Sequence, residues 1–142
     1  LCILKGAAPF AMDLIRAIDC PAEMDFLQVS SYGNGVTSQG FVFKKDTDID
    51  LADRDVILVD DILDTGNTLM NLRELLSTRG TKSIRICVMF DKKPRRTAPI
   101  EADYVGMEVP DEFLVGYGLD YAEKYRNLPY VGILKPEVYT EK

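Results

Sequence analysis

An α/β fold is predicted: an open, mostly parallel sheet flanked by helices, with a small subdomain added at the C-terminal end. Three observations predict it. Residues 54–59 (RDVILV) and 84–90 (IRICVMF) are near-continuous apolar runs, the pattern of strands buried on both faces. Between them Leu69, Leu72 and Leu76 recur at helical spacing and stop before Gly80. Strand, helix and strand in that order pair in parallel through a right-handed crossover. From Lys92 onward the periodicity breaks down, which sets the last third apart.

Taken in order, residues 1–4 form a short apolar strand and Lys5-Gly6 a turn. Pro9 suits a first helical turn, and Ala11, Leu14, Ile15 and Ile18 follow on one face. Residues 25–31 read as a second strand. The stretch 31–40 (SYGNGVTSQG) has three glycines and Val36 as its one aliphatic residue, which predicts an exposed, mobile loop. After the strand at 54–59 and its helix comes the strand at 84–90, then a basic turn at 92–96 (KKPRR). Short strands near Tyr104 and Phe113 and a final strand over 130–134 complete the chain. A length of 142 residues supports one domain, with a core over about residues 1–103 and a C-terminal hood over about 104–142.

Composition narrows the chemistry. With 46% hydrophobic and 28% charged residues the chain reads as an ordinary soluble domain. A net charge of −6 argues against a nucleic-acid binder that relies on a broad basic face. No apolar run is long enough to span a membrane and no signal peptide is visible, so no membrane partner is expected. Cys2, Cys20 and Cys87 lack metal-ligand spacing and read as free thiols of a reducing, cytoplasmic compartment. Histidine is absent, which excludes a Ser-His-Asp triad and imidazole metal ligands. Acid–base work falls to carboxylate, lysine, tyrosine or the substrate. The strand-like start at Leu1 suggests a chain trimmed at its N-terminus.

In an open sheet of this kind ligands bind outside the carboxyl ends of the strands. Lys5-Gly6, residues 60–68 and Asp91-Lys92 then share one rim. Residues 56–69 (VILVDDILDTGNTL) stand out there. A buried strand runs into Asp60 and Asp61, then Asp64, then a Thr-Gly turn opening a helix. Unpaired amides at a helix N-terminus form an anion site, Gly66 allows close approach, and Thr65 and Thr68 add hydroxyls. The lysine of a Walker A loop is missing, since Asn67 stands where it is needed. Three carboxylates beside a bare phosphate repel it. They suit a ligand that also presents ribose hydroxyls, a metal ion, or both. A solvated strand end with one capping aspartate is the plain alternative. A phosphoacceptor receiver domain is disfavoured, because its acids sit on different strands.

The same stretch resembles the phosphoribosyl-pyrophosphate motif of the type I phosphoribosyltransferases, and Asp64 resembles the 6-oxopurine, hypoxanthine-guanine branch. The resemblance continues over most of the chain. Residues 4–7 (LKGA) resemble the pyrophosphate loop and 30–40 the mobile loop with its Ser-Tyr pair. Residues 91–96 (DKKPRR) resemble the purine-reading turn, and 105–134 the hood.

The resemblance implies the type I phosphoribosyltransferase fold and purine salvage. Hypoxanthine or guanine and 5-phosphoribosyl 1-pyrophosphate would give IMP or GMP and pyrophosphate, with Mg²⁺ and in a homodimer or homotetramer. It further implies site roles. The motif Asp60, Asp61, Ile62, Leu63, Asp64, Thr65, Gly66, Asn67 and Thr68 binds substrate. Within it Asp60 and Asp61 face the ribose hydroxyls and the metal-bound diphosphate, and residues 64–68 hold the 5′-phosphate. Asp64, reaching N7 of the base, is the catalytic residue. Lys5 and Gly6 hold pyrophosphate across a cis Leu4-Lys5 peptide, and Ser31 and Tyr32 belong to the closing loop. Asp120 joins Asp60 and Asp61 as a Mg²⁺ ligand, and Arg126 contacts pyrophosphate. Phe113 stacks on the purine, Leu114 and Val115 offer backbone to its edge, and Lys92 or its neighbour Lys93 donates to O6.

Read without the resemblance, Phe113 is core, KKPRR is a solvated turn and the segment around Asp120 is bland. A non-catalytic regulator that senses phosphoribosyl pyrophosphate on the same fold is the other functional reading.

Overall fold

The structure, a computed structural model, describes residues 1–31 and 41–140. Its centre is built by the two longest apolar runs, β4 (Asp55–Leu63) and β5 (Ser83–Asp91). They pair in parallel along their whole length, from Asp55 opposite Ser83 to Leu63 opposite Asp91. β1 (Cys2–Ile3) pairs in parallel with β4 on one side and with β2 (Phe26–Ser31) on the other. β3 (Phe41–Lys45) and β6 (Tyr104–Glu108) close the sheet, in the order β3-β2-β1-β4-β5-β6. Every pairing is parallel except β2 with β3. This is the α/β sheet the sequence predicts.

Alternation along the strands assigns the two helices to opposite faces. Val56 and Leu58 of β4 and Ile86 and Val88 of β5 pack with Leu69, Leu72 and Leu76 of α2 (Asn67–Ser77). Cys2, Val59 and Cys87 pack instead with Ala11 of α1 (Ala8–Ala17). Leu58, Leu72 and Leu76 are wholly enclosed, each worth about 2 kcal/mol of burial. The small hood carries β7 (Leu114–Val115) antiparallel to β8 (Gly132–Ile133), then the short α3 (Pro136–Thr140).

Several elements differ from the sequence reading. β4 does not end at Val59: Ile62 and Leu63 continue the ladder opposite Phe90 and Asp91, so Asp60 and Asp61 lie inside the strand. β3 and α3 are additions, and the strand at Tyr104 is the edge of the main sheet. The expected strand over 130–134 contracts to Gly132–Ile133. Most of the loop at 31–40, Tyr32 included, lies outside the described residues, and Ser31 is described only as the last residue of β2.

The β2–β3 side is anchored by Asp25, a buried carboxylate. It accepts from the Thr47 hydroxyl at 2.6 Å and from the Phe26 and Asp48 amides at 2.7 and 2.6 Å. These donors, Thr47 first, hold its pKa below the usual carboxylate range. With the folded value below the unfolded one, the stabilisation is complete above about pH 4 and is lost as pH falls toward the folded value. Asp25→Asn should therefore lower unfolding free energy at pH 7 by about 2–3 kcal/mol. Urea titrations should show the gap to wild type narrowing below about pH 4. A gap that does not change with pH would remove the carboxylate from this role.

Candidate active site

The carboxyl ends of β1, β4 and β5 bring the predicted rim residues to one edge. After β1 the chain turns through Lys5-Gly6, and the Leu4-Lys5 peptide is cis. A Cβ at Gly6 would meet the Asp61 carboxylate, so the bare glycine lets that acid rest against the turn. Gly118, at φ +98°, backs onto the Gly6 carbonyl and seats the hood on this turn.

Asp60 and Asp61 are half-buried and adjacent. The Asp61 amide donates to Asp60 at 2.9 Å, and the Ile62 amide donates to Asp61 at 2.7 Å. Burial pushes both carboxyls above the usual range, Asp60 furthest because the Asp61 charge adds to it. A divalent cation would relieve that cost, so the pair fits one. Among the described residues no three His, Cys, Asp or Glu side chains converge as a ready metal cluster. Mg²⁺ commonly takes one or two carboxylates and fills the rest of its shell from substrate oxygens and water. Asp120 fits less directly, being paired with Arg126 at 3.2 Å and accepting the Glu123 amide at 2.9 Å.

The turn at 64–68 leads into α2. Its N-cap is Gly66 in the left-handed region (φ +88°), without a side-chain cap. A Cβ at Gly66 would stand 2.5 Å from Ile100 Cγ2, so close packing and backbone sign both demand glycine here. The first-turn amides of α2 lack partners within the helix and face the rim. Asp64 is therefore no helix cap. Its buried Oδ1 makes no hydrogen bond but stands 3.3 Å from Arg95 Nε as an ion pair. Leu63 is fully enclosed in the core, so only its backbone can serve the rim.

Beyond β5 the two adjacent lysines diverge. Lys92 is buried; its amide donates to the Leu63 carbonyl at 2.9 Å and its Nζ to the Glu112 carbonyl at 2.7 Å. Lys93 is exposed and pairs with Glu108. The Lys92 ammonium thus sits one residue from Phe113. That ring is partly exposed, stacked on Tyr139 at 5.1 Å and met edge-on by Tyr121 at 5.6 Å. Leu114 and Val115 follow in β7, paired with Ile133 and Gly132.

At the other end Lys5 and Arg126 share one carboxylate, that of Glu123, at 2.9 and 3.1 Å. Glu123 was not among the predicted site residues. The spacing of Asp120, Glu123 and Arg126, three apart each time, was the available signal. Arg95 and Arg96 were passed over too, because a basic turn normally reads as solvated. A cavity of about 750 Å³ opens at the amino ends of the strands, lined by Leu14, Ile18, Met24 and Ile57, away from the rim.

Paired acids in the last part of β4, a glycine-capped helix N-terminus beside them and a hood seated on the Lys5-Gly6 turn define the class. The chain belongs to the phosphoribosyltransferase family: the family model described as phosphoribosyl transferase domain matches residues 1–122. Within it the chain falls among the hypoxanthine-guanine phosphoribosyltransferases. It is 54% identical over 142 residues to the hypoxanthine-guanine phosphoribosyltransferase of Streptococcus thermophilus, covering 99% of this chain and 79% of that one. To the Bacillus subtilis protein of the same name it is 56% identical over 138 residues, covering 96% and 77%. It also matches the bifunctional protein TilS/HprT of Listeria innocua at 55% identity, covering 98% of this chain and spanning 22% of that longer one. The crystal structure of a hypoxanthine phosphoribosyltransferase from Staphylococcus aureus superposes with a TM-score of 0.93 at 50% identity, over 99% of this chain and 77% of that one.

Proposed function

We propose that the chain transfers the phosphoribosyl group of 5-phosphoribosyl 1-pyrophosphate to N9 of hypoxanthine or guanine, giving IMP or GMP and pyrophosphate. The observation that carries this reading is Asp64. A buried carboxylate oxygen that makes no hydrogen bond, ion-paired with Arg95 at 3.3 Å and beside the N-terminus of α2, is suited to a proton on the imidazole edge of a purine. Residues 64–68 hold the 5′-phosphate at the N-terminus of α2. Asp60 and Asp61 face the ribose hydroxyls, and Lys5, Gly6 and Arg126 receive the departing pyrophosphate. Phe113 supports the base, Leu114 and Val115 border it, and Lys92 donates to O6, which an amino group at that position cannot accept. Lys92 is preferred to Lys93 because its ammonium is the enclosed one.

Asp60 and Asp61, with Asp120 once freed from Arg126, are the residues that would hold Mg²⁺, and the ion would offset the diphosphate charge as the bond to ribose breaks. Positive charge developing on the sugar is met by the same acids. Ser31 and Tyr32 would close over the site. Cytoplasmic residence and a homodimer or homotetramer belong to the same reading. The three free cysteines support the compartment, and no helix among the described residues is long and apolar enough to cross a membrane. Nothing favours the non-catalytic regulator.

Mixing the protein with hypoxanthine, phosphoribosyl pyrophosphate and Mg²⁺ should release pyrophosphate and form IMP, with adenine, orotate and uracil inert. Failure to release pyrophosphate with either hypoxanthine or guanine would overturn the reading.

A further inference from the structure

Arg96 ends the basic turn after β5, yet its side chain is only 10% exposed and that of its partner Asp91 only 2%. A guanidinium carries five N–H donors in a fixed plane, and here each has an acceptor. Nε donates to the Asp64 carbonyl at 3.1 Å. Nη1 donates to the Ile100 carbonyl at 2.8 Å and the Glu101 carboxylate at 3.2 Å. Nη2 reaches the Leu63 carbonyl at 3.5 Å and the Asp91 carboxylate. The chain just after Arg96 continues the grip, with the Thr97 and Ala98 amides both donating to the Thr65 carbonyl at 3.0 Å.

Three successive carbonyls, at 63, 64 and 65, are therefore held by one short segment. They are the residues that aim Asp64 and open the anion cradle. No side-chain cap orients this turn, and the residue that follows it is a left-handed glycine. The local sequence alone leaves its backbone free to vary.

We propose that Arg96, anchored by Asp91, is a positioning residue that fixes the backbone of residues 63–65 and so sets the Asp64 carboxylate and the phosphate cradle in register. The inference rests on the function proposed above. Arg96 touches no substrate; it acts through the carbonyls it holds. A lysine could keep the pairing with Asp91 but, as a single ammonium, could not span the Leu63, Asp64 and Ile100 carbonyls together.

The test is Arg96→Lys, read by kcat with hypoxanthine, by calorimetric binding of ribose 5-phosphate and of inorganic pyrophosphate, and by Tm. Misplacing a reacting group by about 1 Å costs on the order of 100-fold, so kcat should fall about 10- to 100-fold. Ribose 5-phosphate should bind several-fold more weakly, while pyrophosphate, received at the Lys5-Gly6 turn, binds as in wild type. A purely structural arginine would lower Tm and leave the folded protein's kcat and ribose 5-phosphate affinity within about twofold of wild type. That result overturns the proposal. Should Arg96→Lys fail to fold, Asp91→Asn, which frees the guanidinium from its ionic anchor, is read in the same way. If the wild-type protein makes no IMP, the functional reading fails separately. Ribose 5-phosphate binding then decides the clamp alone: weaker binding in the variant supports it and equal binding overturns it.

Discussion

Replacing Asp64 by asparagine is expected to lower turnover with hypoxanthine by about 10²- to 10⁴-fold while nucleotide binding survives. The purine nitrogen that attacks ribose must shed a proton, and a chain without histidine offers few groups to stabilise it. Asp64 has the position: its Oδ1 is enclosed, lacks a hydrogen bond and has Arg95 Nε 3.3 Å away as its ion-pair partner. Asparagine keeps the shape and one acceptor but removes charge and basicity. The variant should fold normally, because Gly66, not Asp64, caps α2. Single-turnover kinetics with hypoxanthine, set beside IMP affinity from calorimetry, separate the chemical step from binding. Wild-type turnover in the variant would reduce Asp64 to a charge partner of Arg95.

The next largest effect is expected at Lys92. A hydrogen bond from a buried ammonium is worth about 1.5–3 kcal/mol, so Lys92→Ala should weaken IMP binding about 10- to 150-fold. Phosphoribosyl pyrophosphate affinity should stay nearly unchanged, and the preference for 6-oxopurines over adenine should shrink with the lost donor. The substitution also removes the hydrogen bond to the Glu112 carbonyl, but Glu112 is exposed and water can replace the donor, so the cost in stability should stay at about 1 kcal/mol. Lys93→Ala, removing an exposed pair with Glu108, serves as the comparison. Equal losses for both ligands in Lys92→Ala would take Lys92 out of the base site.

How far the sequence alone reveals the fold follows physical scale. The strand–helix–strand unit was legible because burial on two faces leaves an unbroken apolar run, and α2 shows its periodicity over several turns. The motif at 60–68 was legible because its chemistry is compressed into nine consecutive residues. β3 was not, since FVFKK follows a glycine-rich stretch and earns its pairing only from β2. Nor was the continuation of β4 through its acids, because charge signals an end unless a neighbouring strand is known to continue beside it. Arg96 and Glu123 went unseen for another reason. Their partners lie in chain segments the sequence does not place next to them: Leu63 and Asp64 for one, Lys5 for the other.

β1 has a consequence for how the molecule opens. It is two residues long and central, joined to β2 through Cys2 and Ile3 and to β4 through Cys2 opposite Val59. The sheet's hydrogen bonding thus divides into two blocks meeting at a very short seam, β2 with β3 on one side and β4, β5 and β6 on the other. Leu27, Phe41 and the Arg79–Asp46 pair tie the first block to the shared core. Local unfolding follows such seams, and amide exchange reports each cooperative block at its own opening free energy. The block of β4 and β5, with its long parallel register and α2 packed across it, is expected to open last. The block of β2 and β3, with its shorter pairing, is expected to exchange sooner. The fold thus divides two demands that usually compete: amide exchange should reach the β2–β3 bank first while Asp60 and Asp61 on the β4 bank keep their geometry.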